Sequence, residues 1–163
     1  MSEGLELRAA TQADLGWVRE LARHEAVAPS LSTTAADDLS DAVAAGELWI
    51  AHASAGGRVG AVRVTTVNRR SRIASIETLI VHPDARGRRL GVAILEAVAR
   101  DAFARGLHRL EGEVYGFNEP ALRTFDAAGF TREGVRRRAY DRHGAWQDGV
   151  RFGLLADERS AGG

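Results

Sequence analysis

The stretch VHPDARGRRLGVAIL, residues 81–95, restricts what this chain can fold into more than any other. An apolar run ends at Val81, two glycines and three arginines follow, and apolar residues then return at helical spacing. Such a pattern passes from a buried strand through a cationic corner into a helix. The helix start presents unpaired amides and the positive end of its macrodipole. Gly87 and Gly91 let the backbone approach a ligand closely, and Arg86, Arg88 and Arg89 add charge. The corner suits a pyrophosphate, with a solvated basic turn as the other reading.

The rest of the chain says whether that anion is caught locally or by a global field. Acidic and basic residues number 22 each, so no net charge steers the protein toward nucleic acid or anionic lipid, and neither is an expected partner. With 163 residues, 45% of them apolar, the composition is that of one globular domain with one site. Every basic residue is arginine, which excludes a lysine Schiff base and a P-loop lysine. Cysteine is absent, and with it disulfides, thiol catalysis and cysteine-ligated zinc. His24, His52, His82, His108 and His143 lack ligand spacing, so no metal is expected. MSEGLELRAA has neither a basic n-region nor an apolar h-region, and no apolar run approaches the roughly 20 residues of a membrane span. A cytoplasmic address is expected.

LELRAA alternates as a half-buried strand, and Thr11-Gln12-Ala13-Asp14 is a capping-box variant ahead of a helix with the stripe Leu15, Val18, Leu21, Ala22. Thr34-Ala35-Ala36-Asp37 signals a second helix, through Leu39 and Val43 to Gly46. ELWIAHA and VGAVRVTTV flank the turn pair Gly56-Gly57, and Ile73 to Val81 is the third strand of a meander. Leu90, Ile94, Leu95, Val98 and Ala102 form the next helical stripe, ending at Gly106, and Leu107 to Tyr115 is a strand. Asn118-Glu119-Pro120 opens a helix closed by Gly129, and a hairpin turning at Asp141 to Gly144 follows. The order β-α-α-β-β-β-α-β-α-β-β describes an α/β chain, a mixed sheet covered by helices, in one domain over residues 1–156 with a frayed tail over 157–163.

The corner resembles the acetyl-CoA loop of the GNAT superfamily of N-acetyltransferases, in which Val-x-Pro-x-x-(Arg/Gln)-Gly-x-Gly-x-Gly/Ala begins a helix. Val81, Pro83, Arg86, Gly87 and Gly91 fit that pattern, while Arg89 stands where the family most often has glycine. Arg89 is accommodated if its backbone keeps negative φ. Asn118 to Ala121 and Gly129-Phe130 resemble the family's second segment, and the element order matches over nearly the whole chain. The closing hairpin looks like the branch with ribosomal-protein N-terminal, polyamine and antibiotic acetylases.

The resemblance implies the GNAT fold and acetyl-CoA as co-substrate. The backbone of Leu79, Ile80 and Val81 would hold the pantetheine as an added strand. The amides of Arg86, Gly87, Arg88, Arg89, Leu90, Gly91 and Val92 would hold the phosphates. Asn118 would cap its helix and touch the coenzyme, and Phe125 would lie against it where many members carry a proton-donating tyrosine. Glu77, inside the apolar strand IETLIV, is the candidate general base, its pKa raised if burial holds it at a cleft, or else a structural glutamate paired with an arginine. Tyr115 and Tyr140 are alternatives for the acid, Trp49 and Trp146 for the acceptor pocket, and no acid is assigned. The expected activity is direct acetyl transfer in a ternary complex to a small-molecule or peptide amine. A non-catalytic acyl-CoA-binding module is the alternative, and a homodimer is left open.

Overall fold

The computed structural model describes residues 4–161. Its elements are β1 (Leu5–Ala9), α1 (Leu15–Arg23), α2 (Leu39–Ala44), β2 (Leu48–Ala53), β3 (Arg58–Asn68), β4 (Ile73–Val81), α3 (Leu90–Ala104), β5 (Arg109–Tyr115), α4 (Glu119–Ala127), β6 (Thr131–Arg142), β7 (Ala145–Leu155) and α5 (Ala156–Ala161). The strands form a mixed sheet in the order β1-β2-β3-β4-β5-β7-β6, with β4 and β5 parallel. This is the predicted α/β order with one added helix. The chain clusters into two compact units, through which β3, β4 and α3 pass. One runs up to Thr65 and takes in Glu77–Val98, and the other holds Thr66–Ile76 and continues from Ala99.

In the first unit, α1 buries its predicted stripe of Leu15, Val18, Leu21 and Ala22. Leu15 and Val18 share a cluster with Leu39 and Ala42 of α2 and with Leu48, Ile50 and Ala61 of the sheet, while Leu21 and Ala22 pack with Val27 and Ile80. Just ahead of α1, Asp14 completes the predicted capping box by accepting the Thr11 amide at 2.8 Å. It also receives Arg8 at 2.8 Å and Arg58 at 3.2 Å, which reconciles a carboxylate side chain 4% exposed with its charge. On the other face of β3, a Cβ at Gly60 would meet Ile80 O at 2.5 Å and Ile94 Cδ1 at 3.0 Å. The absent side chain lets α3 and β4 approach β3.

Two boundaries differ from expectation. The second helix starts only at Leu39, because Asp38 takes a left-handed φ of 52° that interrupts helical continuation from Thr34. Of the tail expected to fray over 157–163, residues 157–161 lie in α5, opened by Glu158 Oε2 accepting the Leu155 amide at 2.9 Å, and residues 162–163 lie outside the described residues.

In the second unit, β5 alternates as a half-buried strand, with Leu110, Gly112 and Val114 turned inward. Gly112 leaves room for the Phe125 ring of α4, whose Cε1 would lie 2.7 Å from an added Cβ. Phe125 packs against Phe130 and Phe152, each with ring centroids 5.0 Å away. The opposite residues of β5 carry charge. Arg109 donates to Glu111 at 3.0 Å and to Glu133 at 2.8 Å. The β6–β7 hairpin turns through His143 and Gly144, both at positive φ.

Candidate active site

The cationic corner is built on the end of β4. The His82 amide donates to Val59 O at 2.8 Å, which keeps the chain on the sheet to its last residue. His82 Nδ1 then accepts the Asp84 amide at 3.2 Å, capping a 3-10 turn over Pro83–Ala85 that proline at its start favours. Ala85 and Leu90 are buried on either side of the corner, so the four residues between them are held at both ends.

Within those four residues Gly87 has φ 81° and Arg89 has φ 55°. The condition of negative φ at Arg89 is therefore not met: the arginine takes a left-handed conformation that glycine adopts more readily. A Cβ on Gly87 would meet nothing within 4 Å, so the glycine serves its backbone angle and not a close contact. Left-handed residues ahead of a helix start turn successive amides toward one side, the geometry of an anion-binding nest. Arg89 O receives the first helical bond, from the Ala93 amide at 3.1 Å. The amides from Arg89 to Val92 thus belong to the first turn of α3, where no intrahelical partner exists. The donor set fits the phosphates of a coenzyme.

The arginines of the corner are not equivalent. Arg86 Nη2 donates to Ala26 O at 2.8 Å, fastening the corner to the segment after α1. Its guanidinium has a structural partner, where the sequence suggested only charge for a ligand. Trp17 stacks on His82 with ring centroids 6.3 Å apart, and the Arg58 guanidinium carbon lies 5.0 Å from the Trp17 ring centroid.

On β4, Leu79, Ile80 and Val81 lie where predicted, with Ile80 buried and its neighbours half-buried. Glu77 is exposed, which corrects the expectation of a buried carboxylate. Its Oε1 accepts the Thr65 hydroxyl at 3.2 Å, and among the described residues no ion pair is recorded for it, so the predicted structural pairing with an arginine is not what positions it. Thr65 was not singled out in the sequence, because its contact with Glu77 joins two strands.

In the second unit, Asn118 Oδ1 accepts the Ala121 amide at 3.3 Å, the predicted N-cap of α4. Phe125, expected against the coenzyme, is 4% exposed and belongs to the aromatic core, so packing is its evident role. Tyr140 donates to Glu113 and accepts Arg136 Nη1 at 3.0 Å, and burial with the Glu113 bond raises its pKa. Tyr115 accepts Arg142 Nη1 at 3.2 Å. The Tyr140 proton is engaged by Glu113, whereas the bond at Tyr115 is one that its oxygen accepts. Trp146 is 64% exposed and is no core residue. Among the described residues, no helix is long and apolar enough to cross a membrane, and no group of three or more His, Asp or Glu is placed to hold a metal.

Comparison with known proteins agrees with this geometry. The family model of the acetyltransferase (GNAT) family matches residues 17–130, which includes β4, the corner and α4. A curated relative, the SPbeta prophage-derived uncharacterized N-acetyltransferase YokL of Bacillus subtilis, is 31% identical over 81 residues, covering 49% of this chain. The match spans 46% of that relative's own length. Among solved structures, a spermidine N-acetyltransferase from Vibrio cholerae in complex with CoA and spermine superposes with a TM-score of 0.82 at 20% identity, over 94% of this chain and 96% of that one. A protein provisionally assigned as a phosphinothricin N-acetyltransferase gives 0.78 at 21%, over 94% and 99%. At these identities the structural likeness establishes the fold. The family match, the left-handed corner and the strand that leads into it together place this chain in the GNAT acetyltransferase family.

Proposed function

We propose that this protein transfers an acetyl group from acetyl-CoA to a primary amine, directly and within a ternary complex. The observation that carries the reading is the left-handed pair Gly87 and Arg89 at the start of α3, immediately after the strand that bears Glu77. The corner amides would hold the coenzyme phosphates, and the backbone of Leu79 to Val81 would hold its pantetheine arm. Acetyl-CoA supplies the activated thioester. The amine nitrogen attacks the thioester carbon, the C–N bond forms and the C–S bond breaks. Glu77, directly or through water, takes the proton that leaves the nitrogen, and the CoA thiolate takes a proton from solvent. With no cysteine in the chain, an acetyl-cysteine intermediate is excluded.

The acceptor is read as a small molecule or a peptide amine in the cytoplasm. That a similarly folded protein is described in complex with CoA and spermine supports a small amine as the class of acceptor. The test is calorimetric titration with acetyl-CoA and with CoA, followed by thiol release in the presence of an amine panel. Micromolar binding of both, with amine-dependent release of one thiol per acetyl group, is the expected result. Binding without release for any amine would instead support a non-catalytic acyl-CoA-binding module, the reading favoured by the proton-free ring at Phe125.

A further inference from the structure

The end of β3 with its turn, and the residues that follow α3, line a cavity of about 280 Å³ formed by Thr66, Arg69, Arg72, Arg105, Gly106 and Leu107. All six belong to the second unit. Its two walls are joined by backbone. The His108 amide donates to Arg72 O at 2.8 Å, and Arg72 Nη1 reaches back to Gly106 O at 3.4 Å. The turn is fixed by Asn68 Oδ1, which accepts the Ser71 amide at 2.8 Å, and by a left-handed φ of 55° at Arg72. The backbone positions of the three arginines are thus set before any ligand arrives. Arg105 pairs with Asp101 at 2.9 Å, while no ion pair is recorded for Arg69 or Arg72 among the described residues. Three cations and one carboxylate therefore meet at a concave site, in a chain whose acidic and basic residues balance overall.

Like charges held together repel, and an anion placed between them relieves the repulsion. We infer that this cavity binds the phosphate of a small phosphomonoester, at a site separate from the cationic corner. One guanidinium satisfies a planar carboxylate, whereas three from two segments match the several oxygens of a tetrahedral dianion. The Thr66 hydroxyl is a further donor. The cavity is close to the lower limit of ligand pockets, roughly 300 Å³, which leaves room for a short organic body beside the phosphate, with Leu107 as its apolar contact. The corner precedes the first turn of α3 and the cavity follows its last, so the 15 residues of that helix separate the two in the chain. Asp101 competes with the ligand for Arg105.

The experiment follows backbone amide NMR shifts of the full chain during titration with glycerol 3-phosphate, with glycerol and acetate as controls. The expected result is saturable shifts over residues 66–72 and 105–108 with a Kd of about 1 mM or lower, the range of a few exposed charge-assisted bonds. Glycerol should cause none, and acetate should bind at least about tenfold more weakly, having one charge and two oxygens. Arg69→Gln removes a guanidinium with no recorded contact among the described residues, so it should weaken binding about tenfold with the melting temperature unchanged. Asp101→Asn frees Arg105 and should strengthen binding, which tests the inference from the opposite direction. Shifts confined to residues 86–92 would assign the phosphate to the corner and overturn the inference. Shifts that never saturate, or an affinity unmoved by both variants, would overturn it too. An RNA oligomer that displaces the ester at lower phosphate concentration would overturn the small-molecule reading in favour of a nucleic-acid contact. Thiol release with an amine panel tests the acetyltransferase reading independently of all these outcomes.

Discussion

The Arg86 guanidinium donates through Nη2 to the backbone oxygen of Ala26 at 2.8 Å, joining the first arginine of the cationic corner to the segment that follows α1. A charge-assisted bond at an exposed site contributes on the order of 1 kcal/mol. Arg86→Ala should lower stability by about that amount in denaturant titration. Amide exchange over residues 26–31 should quicken, since the carbonyl that anchors the segment loses its donor. Unchanged exchange there would mean that the bond is not formed in solution.

Gly91→Glu separates coenzyme binding from folding. A carboxylate in the first turn of α3 interacts favourably with the helix macrodipole, so the variant should fold with near-normal stability. The same charge repels the coenzyme phosphates and fills the space over the amides. Calorimetry should show loss of acetyl-CoA binding in a protein whose melting temperature is maintained. Normal binding would remove the phosphate role from the corner.

Arg89 holds a left-handed conformation without being glycine, a strain of roughly 1–2 kcal/mol. Arg89→Gly relieves it but adds freedom to the unfolded chain, so stability should hold or rise by up to about 1 kcal/mol. Arg89→Val should destabilise by more than 1 kcal/mol, about the penalty of a β-branched residue at positive φ. Thermal unfolding of the two variants checks the order. Equal stability would show that the corner can relax to negative φ.

Glu77→Gln should leave acetyl-CoA affinity unchanged and lower kcat by about 10²- to 10⁴-fold, the range for loss of a general base. The fall in rate toward low pH should disappear with the carboxylate. Thr65→Val, which removes the hydroxyl that orients Glu77, should reduce kcat less, by about tenfold for one neutral hydrogen bond. An unaltered pH–rate profile in Glu77→Gln would return this residue to a structural role.

Acid should unfold the first unit through Asp14. The Arg8 guanidinium holds the Asp14 carboxyl well below the usual carboxylate range, with burial opposing and the Thr11 amide reinforcing the shift. A lowered folded pKa means that the stabilisation is complete above the unfolded value of about 3.9 and is lost as pH falls below it toward the folded value. Asp14→Asn should reduce stability at neutral pH by about 2–3 kcal/mol, because two guanidinium groups lose their anionic partner and one accepting oxygen becomes an NH2 donor. The wild-type and variant stability curves should start to draw together as pH falls below about 3.9 and meet only toward the much lower folded value. A gap that does not narrow as pH falls through this range would deny Asp14 this role.

The legible parts of this protein were those governed by neighbours in the chain. The 3.6-residue stripe of α1, the caps Asp14 and Asn118, the turn glycines at 56, 57 and 129, and the corner itself stand where local spacing puts them. Other features depended on partners far away in the chain. Glu77 looked buried because its strand neighbours are apolar, yet whether a residue on β4 meets solvent depends on what covers that face. Phe125 matched a family position, while its burial follows from Gly112, an absent side chain on β5 thirteen residues earlier.

By itself the amino-acid sequence determined the order of elements, the cationic corner and the chemistries ruled out by the absence of cysteine and lysine, because these depend on composition and on local periodicity. Only the tertiary structure decided that Arg89 takes a left-handed conformation, that Arg86 is anchored to Ala26, and that the Thr65 hydroxyl donates to Glu77. Those relations come from strand pairing and from long side chains bridging distant segments. Their free energy belongs to contacts between residues that the linear order does not bring together.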